Sequence, residues 1–261
     1  LLGATAGRTT LNGEGLQHQD GHSLLASTTV PNCISYDAAF AYEIGIIVNE
    51  GLRRMYENNE DIFYYLTLYN ENYSMPSIPK NSEEGIIKGI YKFKSVTKPH
   101  VRLIGSGSIM QQVLEAEKIL SNLGIKSEIW SATSFGGLRR DAMECERWNL
   151  LNPSKKQKVP YITKVMENNE LISIAATDHM KAIPDMIKGW IPGKYVTLGT
   201  DGFGRSDTRE NLRKFFEMDS HYIAAAAIST LQTEGKMTKA KAEKALNTLE
   251  INFEAPDPSN N

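Results

Sequence analysis

The chain has 261 residues, 41% of them apolar and 23% charged, a composition that can bury a substantial core and excludes a largely disordered polypeptide. Its 29 basic and 31 acidic residues leave a formal net charge of -2, which excludes the broad positive field that holds nucleic acid or an acidic membrane surface. No apolar run reaches the roughly 18 residues that a membrane span needs, no secretory leader is evident, and Cys33 and Cys145 form no CxxC pair; the expectation is a soluble protein of a reducing cytoplasm.

The chain opens on Leu1-Leu2-Gly3-Ala4 without an initiator Met, which reads as the interior of a longer polypeptide. Residues Gly13 to Ser23 follow, with three glycines, two imidazoles and two carboxylates in a stretch that has little to bury. Gly, Asn and Asp also mark ordinary turns. The clustering of His18 and His22 with amide, acid and glycine favours chemistry, because glycine permits close ligand approach and His exchanges protons near neutral pH.

Val30 to Tyr36 reads as a strand, and Asp37 as the cap of a helix over 38–57 whose stripe is Phe40, Ile44, Ile47, Val48, Gly51, Leu52 and Met55. Ile62 to Tyr69 is a nearly continuous apolar strand, so strand, helix and strand imply a parallel pair. Asn70 to Pro79 carries two prolines and is placed as the boundary between two domains, 1–77 and 78–261. Beyond it the pattern gives a helical turn over 83–89, a strand over 89–94, and the strand Val101 to Gly105. A helix with Ile109, Val113, Ala116, Leu120 and Leu123 on one face comes next.

A strand over 126–133 and helices over 137–151 and 161–167 lead to strands over 171–177 and 195–198, with a helix near His179 to Trp190 between those two. Helices over 207–215, 219–234 and 238–249 precede a loose tail from Ala255, with Asp207, Ser220 and Thr238 near the caps. The alternation predicts an α/β fold with mostly parallel sheets flanked by helices.

Other features of the sequence bear on chemistry. Gly105-Ser106-Gly107-Ser108-Ile109-Met110 starts like a dinucleotide fingerprint, but Met110 replaces the third glycine and no acid ends the next strand, Glu128 being only nearby; it reads as a tight turn. Thr200 to Asn211 lacks the EF-hand spacing, and Arg205 and Arg209 are expected to pair with Asp207 or Glu210, or with another subunit. His18 and His22 lie four apart in a glycine loop with no further ligand at zinc spacing. Cys145 sits between Glu144 and Glu146 and reads as a buried structural thiol, and Lys155 to Lys158 between Pro153 and Pro160 as a solvated loop.

Ala6 to Ser23, Asn32 to Asp37, Asn70 to Tyr73, Cys145 to Asn149 and Leu198 to Leu212, in that order, resemble the homodimeric bacterial pyruvate dehydrogenases. These are the thiamine-diphosphate-dependent decarboxylating components of the pyruvate dehydrogenase complex, and the resemblance covers nearly the whole chain. It implies that 1–77 is the end of a pyrimidine-binding domain and 78–261 a transketolase-type C-terminal domain of a longer homodimeric enzyme. That enzyme would act on pyruvate and acetylate a lipoyl-bearing dihydrolipoamide acetyltransferase.

The family's Gly-Asp-Gly motif for diphosphate and Mg²⁺, and its activating glutamate, have no counterpart in this sequence, and Asp201-Gly202 is no substitute. The chain alone is therefore expected to bind no cofactor and to be inactive. The resemblance carries over one catalytic residue, His18, the first His of the family's Gln-His-x-Asp-Gly-His motif, which faces the substrate. Gln19 stands where the family has Glu. His22 is assigned to supporting the loop, and Glu14 and Asp20 are candidate acceptors that orient His18. Two other classes of function remain beside this one: a non-catalytic dimerisation or scaffolding module, and a transketolase-type enzyme acting on another keto substrate.

Overall fold

A computed structural model of the chain describes residues 1–11, 16–167 and 171–260. Among the described residues the strands form two sheets. The first has three strands, β1 (Leu2–Thr5), β2 (Cys33–Asp37) and β3 (Phe63–Leu68), in the order β1-β3-β2 and all parallel. The parallel pair anticipated from strand, helix and strand is present, joined by α2 (Ala41–Leu52) and a π-helical turn over Arg53–Glu57. A short helix, α1 (Ser23–Ser27), precedes β2. Strand β2 starts later than its apolar run, because Val30 turns the chain by accepting a hydrogen bond from Cys33 N–H.

Residues 69–79 carry neither helix nor strand and lead to α3 (Glu83–Lys88) and β4 (Ile90–Lys94). The second sheet adds β5 (Val101–Gly105), β6 (Ser127–Ala132), β7 (Ile172–Ala176) and β8 (Tyr195–Leu198) in the order β4-β6-β5-β7-β8. Every pairing is parallel except β4 with β6. Its helices are α4 (Met110–Asn122), α5 (Phe135–Leu151), α6 (Tyr161–Val165), α7 (Ala182–Asp185), α8 (Arg209–Phe215), α9 (Ser220–Thr233) and α10 (Lys239–Leu246).

Alternate side chains of each strand point to opposite faces. Val101 and Leu103 of β5 therefore join Ile129, Ile172 and Ile174 beneath Val113, Ala116 and Leu120 of α4 and the alanine-rich α9. On the other face Ile104, Trp130, Ala175 and Tyr195 pack under Phe135 and Leu138 of α5 and Ile162 of α6. Burying one Val or Leu side chain contributes about 1.5–3 kcal/mol, so α4 is held by this stripe rather than by helix propensity. A third cluster, Tyr36, Ile47, Tyr64, Leu66, Ile86 and Tyr91, fills the space between the three-stranded sheet and α2 and α3.

Two local expectations are overturned. Asp37 does not cap α2; it ends β2, buried, while Glu43 turns back to accept from Ala39 N–H at 2.6 Å and Phe40 N–H at 3.1 Å. The segment from His179 to Trp190 is not one helix. Its regular parts are α7 and a single 3₁₀ turn over Lys188–Trp190, because His179 and Met180 direct backbone groups to Thr200 and Gly21 instead of into a helical ladder.

Candidate active site

In the second sheet, β5 leads through α4 to β6 on one side while β7 lies on the other side of β5. Open α/β sheets take ligands in the crevice at such a switch point, beyond the carboxyl ends of the strands. Here that crevice lies between the turn Gly105–Ser108 and the residues Thr177, Asp178 and His179. It is filled by the chain's own segment Gly7 to Thr10.

The Asp178 carboxylate accepts from Thr9 N–H at 2.9 Å, the Thr9 hydroxyl at 2.6 Å, Thr10 N–H at 3.0 Å and the Thr10 hydroxyl, all buried. Ser108 Oγ lies 2.6 Å from Thr10 Oγ1. Glycine is required at Gly7, where φ is +97° and a Cβ would stand 2.2 Å from Asp178 Oδ2. The turn before α4 is closed as well: Gly107 sits under Tyr69, whose hydroxyl would meet a Cβ at 2.4 Å. The tight-turn reading of Gly105 to Met110 therefore has its physical basis in a filled phosphate position.

His179 is fully buried beside this cluster. Its Nε2 lies 3.2 Å from Tyr69 Oη and 3.7 Å from Asp37 Oδ1, and that oxygen also accepts from Thr67 Oγ1 at 2.6 Å and from the Tyr69 hydroxyl. Burial pushes the Tyr69 hydroxyl well above its ordinary range and Asp37 adds to it, so Tyr69 stays protonated and donates. Burial opposes charge on both His179 and Asp37. Their mutual attraction outweighs it, with Asp20 and Asp178 further favouring the imidazolium, so His179 is raised and Asp37 lowered.

The pH dependence follows. Asp37 stabilises the fold above the ordinary carboxylate range, and that contribution is lost as pH falls through its lowered pKa. Protonated His179 contributes fully below the ordinary imidazole pKa of about 6.5, and that part is lost as pH rises through its raised value. Thermal melts from pH 4 to 9 are expected to show a decline above neutrality that His179→Gln reduces; an unchanged slope in that variant would refute the assignment.

His18 closes a one-turn 3₁₀ helix, Leu16–His18, and is exposed. The residues after it are fastened. Gln19 is buried and grips the backbone of Arg205, accepting from its N–H at 2.7 Å and donating to its carbonyl. Asp20 accepts from His22 N–H at 3.0 Å and from the N–H and hydroxyl of Ser23, which caps α1 and holds the Asp20 carboxyl below its usual range against the opposing effect of burial. Gly21 accepts from Met180 N–H at 2.8 Å. His22 is exposed and supports the turn through its backbone, its carbonyl accepting from Ala26 N–H at 3.0 Å. Asp20 is thus committed to α1, and Glu14 lies outside the described residues.

Among the described residues Arg209 does not pair with Asp207 or Glu210. Arg209 Nε donates to the Thr10 carbonyl at 2.8 Å and Nη2 to Asn70 Oδ1 at 3.1 Å, while Glu210 pairs with Lys214 at 3.1 Å and Asp207 accepts from Asn211 at 2.9 Å. Arg205 stacks its guanidinium over the Phe215 ring at 5.3 Å. Arg8 donates to the carbonyls of Thr200, at 3.0 Å, and Gly202, and Arg213 forms a two-pronged pair with Glu71. Arg8, Arg209 and Arg213 fasten residues 8–10, before the site loop, and Asn70 and Glu71, after β3, to the segment and helix that follow β8. Cys145 is buried as expected, and burial, with Asp141 beyond, raises its thiol.

Asp178 and His179 were not singled out by sequence reading as a site. The available signal was their position: two ionisable residues just beyond the carboxyl end of a buried, mostly apolar strand. Among the described residues no group of three His, Cys, Asp or Glu side chains is gathered as a metal centre would require. With the crevice filled, the described residues do not fit a diphosphate carrying Mg²⁺.

Comparison with known proteins gives a consistent family. A family model described as the pyruvate dehydrogenase E1 component middle domain matches residues 1–76, and one described as the transketolase-like C-terminal domain matches residues 89–219. The pyruvate dehydrogenase E1 component of Escherichia coli (strain K12) is 49% identical over 263 residues, covering 99% of this chain and 29% of the relative. That of Pseudomonas aeruginosa is 48% identical, covering 99% and 30%. The chain thus spans about 29% of the length of the Escherichia coli relative. A transketolase structure from Pichia stipitis superposes with a TM-score of 0.65 at 19% identity, covering 90% of this chain and 30% of that one, which bears on fold alone.

Proposed function

The chain belongs to the pyruvate dehydrogenase E1 component family, and from that premise we propose that it forms part of a cytoplasmic, homodimeric enzyme that decarboxylates pyruvate with thiamine diphosphate and Mg²⁺. The acetyl group is passed to a lipoyl-bearing dihydrolipoamide acetyltransferase. The observation that carries this reading is 49% identity to the Escherichia coli E1 component over 99% of the chain.

The residues of this chain supply a wall of the site. His18 offers an exposed imidazole on a loop whose following residues are locked to the second sheet. A positioned imidazole donates a hydrogen bond or a proton to a carbonyl oxygen as negative charge develops there. Gln19 contributes position rather than charge: its amide is consumed by Arg205. Since the described residues do not fit diphosphate and Mg²⁺, no step is assigned to this chain through that group.

The expected result with the purified chain, pyruvate, thiamine diphosphate and Mg²⁺ is no CO₂ release above a protein-free control, with turnover present in the complete enzyme that contains this sequence. Decarboxylation by the chain alone would overturn the proposed division of labour. A complete enzyme that ignores pyruvate and accepts a sugar phosphate would establish the transketolase-type alternative instead.

A further inference from the structure

Three consecutive residues at the carboxyl end of β7 meet every part of the site. Asp178 receives the four donors of Thr9 and Thr10, and its own carbonyl accepts from Arg8 N–H at 3.2 Å and from Thr200 Oγ1 at 3.1 Å. Met180 N–H holds Gly21 on the other side of His18. Between them His179 turns into the ends of β2 and β3, beside Asp37 and Tyr69. Both flanks of the His18 segment are therefore tied to one tripeptide.

The arrangement has an energetic logic. A buried carboxylate is costly unless its oxygens are satisfied, and Asp178 is satisfied only when Thr9 and Thr10 occupy the crevice. The contact is also close, since a side chain at Gly7, where φ is +97°, would strike the Asp178 carboxylate. A ligand crevice has become a socket for the chain's own backbone.

We infer that Asp178-His179-Met180 is the positioning element for His18, with Asp178 as its central residue. The inference rests on the reading that His18 acts in the reaction, and it assigns to the second sheet a task in catalysis that involves no contact with substrate. Asp178 is a positioning residue: it acts through the loop.

The test is Asp178→Asn in the complete enzyme. Asparagine places an NH₂ against donors, so one Thr9 or Thr10 contact becomes repulsive with almost no change in volume. Displacement of a catalytic group by about 1 Å can cost on the order of a hundredfold in rate. The expected result is therefore a kcat lowered roughly ten- to hundredfold with KM for pyruvate changed less than about threefold, and faster amide hydrogen exchange over residues 19–23. In an H18A background D178N should cost little more, because groups that act as a unit are not additive.

Unchanged exchange over 19–23 in D178N, or full additivity with H18A, would overturn the inference. Should H18A leave turnover intact, the catalytic reading of His18 falls, and the exchange measurement still decides the positioning claim. Thr10→Val, which removes one hydroxyl and keeps the backbone donor, carries the same readouts if D178N does not fold.

Discussion

Replacing His18 with alanine in the complete enzyme is expected to lower kcat by roughly 10²- to 10³-fold, the range found when a single donor to a developing oxyanion is removed. The physical case is the contrast between this side chain and its neighbours. Gln19 is buried and spent on Arg205, Asp20 on the start of α1, and Gly21 on Met180, while the His18 imidazole is exposed at the end of its turn. An imidazole that, among the described residues, has no hydrogen-bond partner and is followed by fastened residues suits a proton donor, because part of its orientation is provided before the reaction begins.

His18→Gln should restore part of the rate, since it retains a donor. Steady-state kinetics with circular dichroism as a control for folding check this. A kcat within about threefold of the parent would exclude a direct role, being far below the effect of losing such a donor.

The largest expected effect on stability comes from Arg102. Its side chain is 2% exposed in the middle of the second sheet, donating to Glu128 Oε1 at 2.8 Å and to the Met166 carbonyl at 3.0 Å. Trp130 Nε1 donates to the same Glu128 oxygen at 2.9 Å, and Lys92 lies 3.2 Å from the other. Glu128, an acid that stood near a ribose-binding position in the sequence, is thus committed to a buried ion pair.

Arg102→Ala should cost about 3 kcal/mol, the lower part of the 3–5 kcal/mol typical of breaking a buried pair, because Lys92 still partners the stranded carboxylate. Urea unfolding checks the value. Arg102→Met combined with Glu128→Gln should recover at least half of the loss, since no bare charge is left and Trp130 keeps an acceptor. A loss below about 1 kcal/mol would mean that the pair is solvated, as surface pairs are.

What could be read in advance and what could not divide along the range of the interactions. Val101 to Gly105 and Tyr195 to Leu198 run as strands over the residues their patterns mark, and α4 buries the stripe of Val113, Ala116 and Leu120 that its spacing marks. Those signals are local, because a period of two or 3.6 residues is set by neighbours in the chain. The direction of β4 was not readable, since the antiparallel pairing with β6 joins residues 35 to 42 apart in the chain, from Lys94 with Ile129 to Ile90 with Ala132. Asp37 illustrates the same limit: a plausible cap by local rules, it is drawn instead into a buried pair with His179, 142 residues on.

The site divides in the same way. His18 is proposed from the sequence because glycine, imidazole and carboxylate crowd one short segment, which also carries the family resemblance. By itself the sequence determined the α/β alternation, the apolar strands and helix stripes, the polar loop and its histidine. Only the tertiary structure decided that Asp178 receives Thr9 and Thr10 from 169 and 168 residues away, that the crevice at the switch point is filled by the chain itself, and that Arg209 fastens Thr10. The reason is physical: periodicity reports which side chains must leave water, whereas the pairing of buried polar groups is chosen by proximity that exists only once the two sheets have come together.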